Sequence, residues 1–152
     1  MNDAEEQFGR GALLASEGTR QNFEGAADCY LKAADQGHAL AQFNLGIMYG
    51  KGQGVSRNEA LSVMWMTRAA KLGDAGAQYN LGMKRHRTSL GELPEIAFES
   101  RIEAYKWLRL AAAQGYGASE AGSEVVAMGM TIDSVTEGKR RAAAFVAGQV
   151  PA

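Results

Sequence analysis

The octapeptide Ala39-Leu-Ala-Gln-Phe-Asn-Leu-Gly46 recurs 36 residues later as Ala75-Gly-Ala-Gln-Tyr-Asn-Leu-Gly82. The same offset relates Lys32-Ala-Ala-Asp-Gln-Gly37 to Arg68-Ala-Ala-Lys-Leu-Gly73, whereas the next copy, Leu110-Ala-Ala-Ala-Gln-Gly115, follows after 42 residues. A period in this range is typical of stacked helical hairpins, each of which is too small to bury its apolar face alone. The sequence therefore predicts a helical repeat protein whose third repeat is longer than the second.

Size and charge restrict the class of protein. A chain of 152 residues is long enough to bury a hydrophobic core within one domain. The formal net charge of −1 offers no broad basic surface for nucleic acid or an anionic membrane, and a single cysteine cannot form an internal disulfide. The N-terminus is acidic where a secretory signal is basic, and no stretch of about 18 residues is apolar throughout. We therefore predict a cytoplasmic protein with no nucleic-acid partner and no membrane insertion.

Apolar residues at three- and four-residue steps predict an all-α fold, an α/α superhelix or solenoid. The helices are predicted over residues 4–16, 22–35, 39–50, 94–113, 117–128 and 131–146, with two more beginning after Ser56 and at Ala75. They form four hairpin units, over residues 4–37, 39–73, 75–115 and 117–147, in a single domain that spans residues 1–152. The last helix is expected to cap the stack and to leave Lys139, Arg140 and Arg141 in water.

Two local signals divide the second unit. Gly50-Lys-Gly-Gln-Gly54 is predicted to form a turn between two helices. Ser56-Arg-Asn-Glu59 has the reciprocal pattern in which a serine and a glutamate satisfy free backbone amides, which makes Ser56 the expected N-cap. The residues expected to anchor the core are Leu45, Trp65, Leu81 and Trp107.

Three motifs carry a resemblance to a known family. They are Ala39-x-Ala-Gln-x-x-Leu-Gly-x-x-Tyr49, Gly52-x-Gly-Val55 and Trp65-x-x-Arg-Ala-Ala-x-x-Gly73. Together they closely resemble the Sel-1-like repeat, a relative of the tetratricopeptide repeat. The resemblance implies a superhelix whose first helices line a concave surface and which scaffolds protein assemblies rather than catalysing a reaction. It also implies the concave-facing residues, which are Phe43, Asn44, Ile47, Lys51, Tyr79, Asn80, Met83 and Arg87.

Helical spacing alone indicates most of the same surface. The stripe that it predicts consists of Phe43, Ile47 and Lys51 and, one unit later, of Tyr79, Met83 and Arg87. The recurring asparagines, Asn44 and Asn80, suit hydrogen bonding to the backbone of a bound peptide. They are equally suited to tying adjacent hairpins together, and the sequence leaves both interpretations open.

A basic cluster stands where the preceding unit has its glycine turn. Its members are Lys84, Arg85, His86 and Arg87. Basic residues at a helix C-terminus are favourable in their own right, by roughly 0.3 to 1 kcal/mol each, because they complement the helix dipole. The alternative is a patch that binds an acidic segment of a partner protein.

No residues have the spacing of a catalytic, cofactor or metal site. Gly50-x-Gly-x-Gly54 follows a helix and lacks the adjoining Lys-Ser/Thr pair of a phosphate loop. His38 and His86 lie 48 residues apart and are expected to be exposed, whereas Cys29 shares the register of two tryptophans and is expected to be buried. An acidic run at helical spacing predicts one solvated helix edge, formed by Glu92, Glu95, Glu99 and Glu103.

The predicted function is a non-catalytic scaffold or adaptor that holds a peptide or helix of a partner protein on the concave face. A homo-oligomeric structural component, which uses the apolar stripe for self-association, is the first alternative. An enzyme is the second, because some cysteine-rich relatives have been proposed to bind or hydrolyse β-lactams. This chain lacks their paired cysteines, so we expect no enzyme activity and no cofactor.

Overall fold

The computed structural model describes residues 2–149, which form eight helices and no strand. In chain order the helices are α1 (Asp3–Glu17), α2 (Arg20–Asp35), α3 (Ala39–Lys51), α4 (Glu59–Lys71), α5 (Ala75–Ser89), α6 (Pro94–Ala113), α7 (Ser119–Ala127) and α8 (Ile132–Gln149). Short turns join successive helices. Several of the helices are followed by a glycine with positive φ, a conformation that ends a helix. The predicted all-α class is confirmed for this part of the chain.

The N-cap predicted for α4 is wrong by two residues. Asn58, and not Ser56, precedes the helix, and its Oδ1 atom accepts a hydrogen bond of 3.0 Å from the backbone N–H of Leu61. The Asn58 backbone N–H donates to the carbonyl of Tyr49 at 3.0 Å, which holds the chain extended up to Asn58. Glu59 is therefore the first residue of the helix and not the third, so it cannot complete the reciprocal pattern with Ser56.

The turn between α3 and α4 begins and ends later in the chain than predicted. Gly50 and Lys51 belong to α3, so the turn begins at Gly52, which has a φ of +69°. Gly54 also lies in the left-handed region, at +70°, and its Cα faces the backbone of Phe23 so closely that a Cβ there would collide with the Phe23 carbonyl oxygen. The glycine turn therefore packs closely against the backbone at the start of α2.

The chain divides into two compact units, Met1–Ala77 and Gln78–Ala152, and the division falls within α5. In the first unit α2 packs against α1 and α3, and α3 packs against α4. Ala33 and Ala41 are fully buried at these contacts, so the helices approach closely. Leu45 and Trp65 are 1% and 5% exposed, which confirms them as core anchors.

In the second unit α5, α7 and α8 all contact α6. Gly82 of α5 allows a close approach, because a Cβ there would lie 2.7 Å from Cγ of Leu108. Leu108 is fully buried, and Leu81 and Trp107 are 3% and 5% exposed. The two remaining predicted anchors therefore lie in the core of this unit.

The prediction that Arg141 lies in water is wrong. Its guanidinium donates hydrogen bonds to Glu99 and to Glu103 of α6, the latter at 2.8 Å. The contact is possible because Gly138 has no side chain and lets α8 lie against a tyrosine ring of α6. Glu99 is exposed, as predicted, but the predicted solvated edge is wrong for Glu103, which is half-buried. Both glutamates form an ion-pair network with α8.

Candidate functional site

The predicted binding residues of the first unit lie along α3. Phe43, Asn44 and Ile47 are half-buried, and Lys51 at the end of the helix is exposed. The Phe43 ring lies beside the backbone of Gly76, where a Cβ would be 3.1 Å from the ring Cζ atom. Phe43 is therefore largely used in packing, whereas the following turn of α3 borders open space.

A small cavity opens beside α3 in the first unit. Its volume is about 190 Å³, and we call it the α3 cavity. The residues that line it are Ala15, Phe23, Tyr30, Asn44, Ile47, Met48 and Gln53. Two of the predicted site residues, Asn44 and Ile47, therefore share a mostly apolar cavity with residues of α1 and α2.

Asn44 contributes to the wall of the α3 cavity through a contact with α2. Burial raises the pKa of Tyr30 above its ordinary value, and a hydrogen bond with the Asn44 side chain opposes part of this rise. The bond joins the second helix of one hairpin to the first helix of the next. This contact is the kind expected if Asn44 ties adjacent hairpins together.

A larger cleft adjoins the α3 cavity and shares Phe23 and Gln53 with it. The cleft has a volume of about 980 Å³. Its lining residues are Gly18, Arg20, Phe23, Glu24, Lys51, Gly52, Gln53, Gly54, Val55, Ser56 and Arg57. We call it the basic cleft, because it contains three cationic side chains and one acidic side chain.

Arg20 and Arg57 are candidate site residues that the sequence pattern does not indicate. Neither lies on the stripe of α3, because Arg20 begins α2 and Arg57 lies in the turn between α3 and α4. The available signal was their position shortly after glycines.

In the second unit the predicted site residues are used mainly in packing. Tyr79 is half-buried, and its ring centroid lies 5.5 Å from that of Tyr116. Met83 lies against α7, where its sulfur would be 3.4 Å from a Cβ on Gly122. Asn80 is half-buried as well, and Arg87 is exposed. The two halves of the predicted stripe therefore have different local environments.

The basic cluster at the end of α5 is only partly exposed. Arg85 and Arg87 are exposed, whereas Lys84 and His86 are half-buried. Burial, and in second place the positive charge of Arg101, lower the pKa of His86. The cluster therefore gains no charge from His86 at neutral pH, and the prediction that this histidine is exposed is wrong.

His38 is also half-buried, contrary to prediction. Its Nδ1 atom accepts a hydrogen bond of 3.2 Å from the backbone N–H of Ala41 and so caps α3. Its ring stacks on Phe8 with centroids 4.5 Å apart, and its Nε2 atom lies 3.2 Å from a carboxylate oxygen of Glu5. His38 therefore fastens the start of α3 to α1.

Residues 2–149 contain no group of three or more histidine, cysteine, aspartate or glutamate side chains placed to hold a metal ion. Cys29 is 6% exposed, in agreement with its predicted packing position. None of the eight described helices combines the length and apolar character that a membrane crossing requires. The α3 cavity, the basic cleft and the exposed part of the basic cluster are the candidate binding features.

Comparison with known proteins identifies the class of these hairpins. A family model described as the Sel1 repeat matches residues 7–38, 39–74 and 75–116, well over half of the chain. The protein is thus a helical-hairpin repeat protein. More specifically, the chain belongs to the Sel1 repeat family.

Three relatives illustrate the similarity. An F-box protein of Arabidopsis thaliana is 33% identical over 99 residues, which cover 65% of this chain and 25% of that protein. The crystal structure of a protective antigen of uropathogenic Escherichia coli, which displays an SLR fold, superposes with a TM-score of 0.80 and 25% identity, covering 95% of this chain and 30% of that one. A Sel1 repeat protein from Oxalobacter formigenes gives a TM-score of 0.67 and 33% identity, covering 81% and 49%. This chain spans less than half the length of each relative.

These matches confirm the predicted resemblance and the predicted solenoid class of α/α hairpins. Sel1 repeats generally mediate protein–protein interaction, and their fold is generally a non-catalytic scaffold. The predicted single-domain organisation and the predicted binding residues stay predictions.

Proposed function

We propose that this protein is a non-catalytic scaffold that binds a segment of a partner protein along the first helices of its repeats. One observation carries the proposal: the α3 cavity, which is lined by two of the predicted binding residues, Asn44 and Ile47. The general role of Sel1 repeats in protein–protein interaction supports it. In this proposal the cavity receives an apolar side chain of the partner.

The size of the α3 cavity supports a side chain over a free small molecule. Its volume of about 190 Å³ is below the range of roughly 300 to 1,000 Å³ that is usual for small-molecule sites. Apolar cavities of roughly 150 Å³ hold a single benzene-sized group. One aliphatic or aromatic side chain therefore suits the available space, and the rest of the partner segment lies outside it.

The proposal is tested by filling the cavity from the side opposite α3. Ala15→Met places a longer apolar side chain into the cavity without changing any charge. Leu13→Met is the matched control, because Leu13 belongs to the same helix and is 66% exposed. Both variants are first shown by circular dichroism to keep the helical content of the wild type.

Wild type and both variants are then used in crosslinking pull-downs from lysate of the source cells. We expect a partner that is captured by wild type and by Leu13→Met but lost with Ala15→Met. Equal capture by all three would show that the α3 cavity is not the binding site. If nothing is captured, light scattering over a concentration series tests the alternative of self-association, which a strictly monomeric protein would exclude.

A further inference from the structure

The charges of the basic cleft are unbalanced. Of its three cationic side chains, Arg20 lies 3.4 Å from Glu24, the single acidic residue of the lining. Lys51 and Arg57 are exposed and form no ion pair within residues 2–149. An anionic group in the cleft would therefore meet two cations that have no ion-pair partner in the described part of the chain.

The backbone of the cleft adds hydrogen-bond donors. The N–H groups of Gly54, Val55 and Ser56 make no hydrogen bond to an acceptor in the described part of the chain. These residues line the cleft together with the two unpaired cations. Donors without internal acceptors suit carboxylate oxygens, which accept several hydrogen bonds at once and donate none when ionised.

The cleft continues into an apolar site. Phe23 and Gln53 belong to the linings of both the basic cleft and the α3 cavity, so the two are contiguous within the first unit. A segment that places an apolar side chain in the cavity therefore runs directly into the cleft. A nucleic acid would use the cations but not the apolar cavity, and the chain as a whole has a formal net charge of −1.

We propose that the partner of this scaffold carries a short acidic segment next to an apolar anchor residue, and that the acidic side chains bind in the basic cleft between Lys51 and Arg57. This inference rests on the proposed function, because the anchor residue occupies the α3 cavity. It specifies the chemistry of the partner: one apolar side chain followed or preceded by aspartate or glutamate. Electrostatic attraction sets the direction in which the segment lies.

The test uses a phage-displayed random 12-residue peptide library, selected against the full chain. We expect the selected peptides to be enriched in aspartate and glutamate next to an apolar residue, relative to the unselected library. The enriched peptides are then synthesised with a fluorescent label, alongside versions in which Asn and Gln replace Asp and Glu. Affinity is measured by fluorescence anisotropy at two salt concentrations.

Each peptide is measured against wild type, the double variant Lys51→Glu, Arg57→Glu and a control double variant. The control, Arg10→Glu with Lys139→Glu, has the same net charge but changes two exposed cations that do not line the cleft. We expect roughly tenfold weaker binding to the cleft variant and little change with the control. The neutral peptide versions should bind the wild type more weakly than the acidic versions, by a similar factor. High salt should reduce only the affinity of the acidic versions.

Several outcomes would overturn the inference and leave the proposed function standing. One such outcome is a set of selected peptides that is not enriched in acidic residues. Another is equal affinity of the peptides for the cleft variant and the control. In both cases the proposed function stands if Ala15→Met still abolishes binding. A 12-nucleotide oligothymidylate that competes with the peptides and loses affinity only with the cleft variant would assign the cleft to nucleic acid. A library that yields no binding peptide would overturn both proposals.

Discussion

At the scale of single residues, Gly54 is a position where we expect one added methyl group to lower the stability of the protein strongly. Its φ of +70° costs an L residue roughly 1 to 2 kcal/mol, and an added Cβ would also collide with the carbonyl oxygen of Phe23. Gly54→Ala should therefore lower the free energy of unfolding by about 3 kcal/mol. Urea denaturation of the full chain measures this difference.

Gly18→Ala is a closely matched control for Gly54→Ala. Gly18 has a φ of +71° and also lines the basic cleft, but no atom lies within 4 Å of the place where its Cβ would stand. This substitution should lower the free energy of unfolding only by the cost of the left-handed backbone conformation, roughly 1 to 2 kcal/mol. Equal destabilisation by the two substitutions would show that the contact between Gly54 and Phe23 does not limit stability.

The N-cap of α4 shows what single-residue reasoning predicts and what it misses. A serine three residues before a glutamate is the pattern of a reciprocal cap, so Ser56 was the reasonable expectation. The structure starts the helix after Asn58 because the backbone N–H of that residue bonds to the carbonyl of Tyr49. A hydrogen bond across a glycine turn produces no periodic pattern in the sequence. Sequence alone therefore could not decide which of the two polar residues is the N-cap.

At the scale of elements, α8 is held by ion pairs as well as by apolar contacts of Val135 and Phe145. Its buried residues are Ser134 and Gly138. Hydrogen bonds from Arg140 and then Arg141 lower the pKa of Glu137 from 4.5 to about 2. Since the unfolded chain then binds more protons, the free energy of unfolding should fall as the pH falls from about 4.5 towards 2.

Arg141→Gln tests the contribution of this network. Arg141 bonds to Glu103 as well as to Glu137, and burial on its own would raise the pKa of Glu103, but the hydrogen bonds from Lys106 and Arg141 lower it. We expect the variant to lose about 1 kcal/mol at pH 7 and to show a shallower acid dependence than the wild type. Lys139→Gln, at an exposed position on the same helix, should leave both unchanged. Parallel pH profiles of wild type and Arg141→Gln would contradict the assignment.

The helices themselves could be predicted, but their contacts could not. Apolar spacing predicted eight helices in the right order, because each amphipathic segment reports its own periodicity. Arg141 and Glu103 are 38 residues apart and belong to different helices, and no spacing rule connects them. Which polar residues meet across a helix pair depends on the close approach at Gly138, a feature that appears only in three dimensions.

At the scale of the whole molecule, the sequence predicts the repeat but does not predict the basic cleft. A 36-residue period implies hairpins whatever their partner, so the family could be inferred from repeated motifs. The basic cleft is different, because it combines the turn after α1 with the turn after α3. Such a site is defined by how neighbouring hairpins pack, and the stripe on α3 indicated only its edge at Lys51.

The predicted single domain can be tested by asking whether a destabilising substitution in one unit lowers the stability of the other unit. Trp65 in the first unit and Trp107 in the second are each 5% exposed, and truncation of either to alanine should cost roughly 3 to 5 kcal/mol. A short repeat array that unfolds cooperatively spreads such a loss over all its slowly exchanging amides. Hydrogen exchange read by mass spectrometry should then show the protection of α6 amides falling by a factor of roughly 100 to 4,000 in Trp65→Ala, and that of α3 amides falling similarly in Trp107→Ala. Phe98→Ala, at a position on α6 that is 49% exposed, controls for truncation of an aromatic side chain and should change little. Loss of protection confined to the unit that carries the substitution would mean that the chain folds as two independent parts.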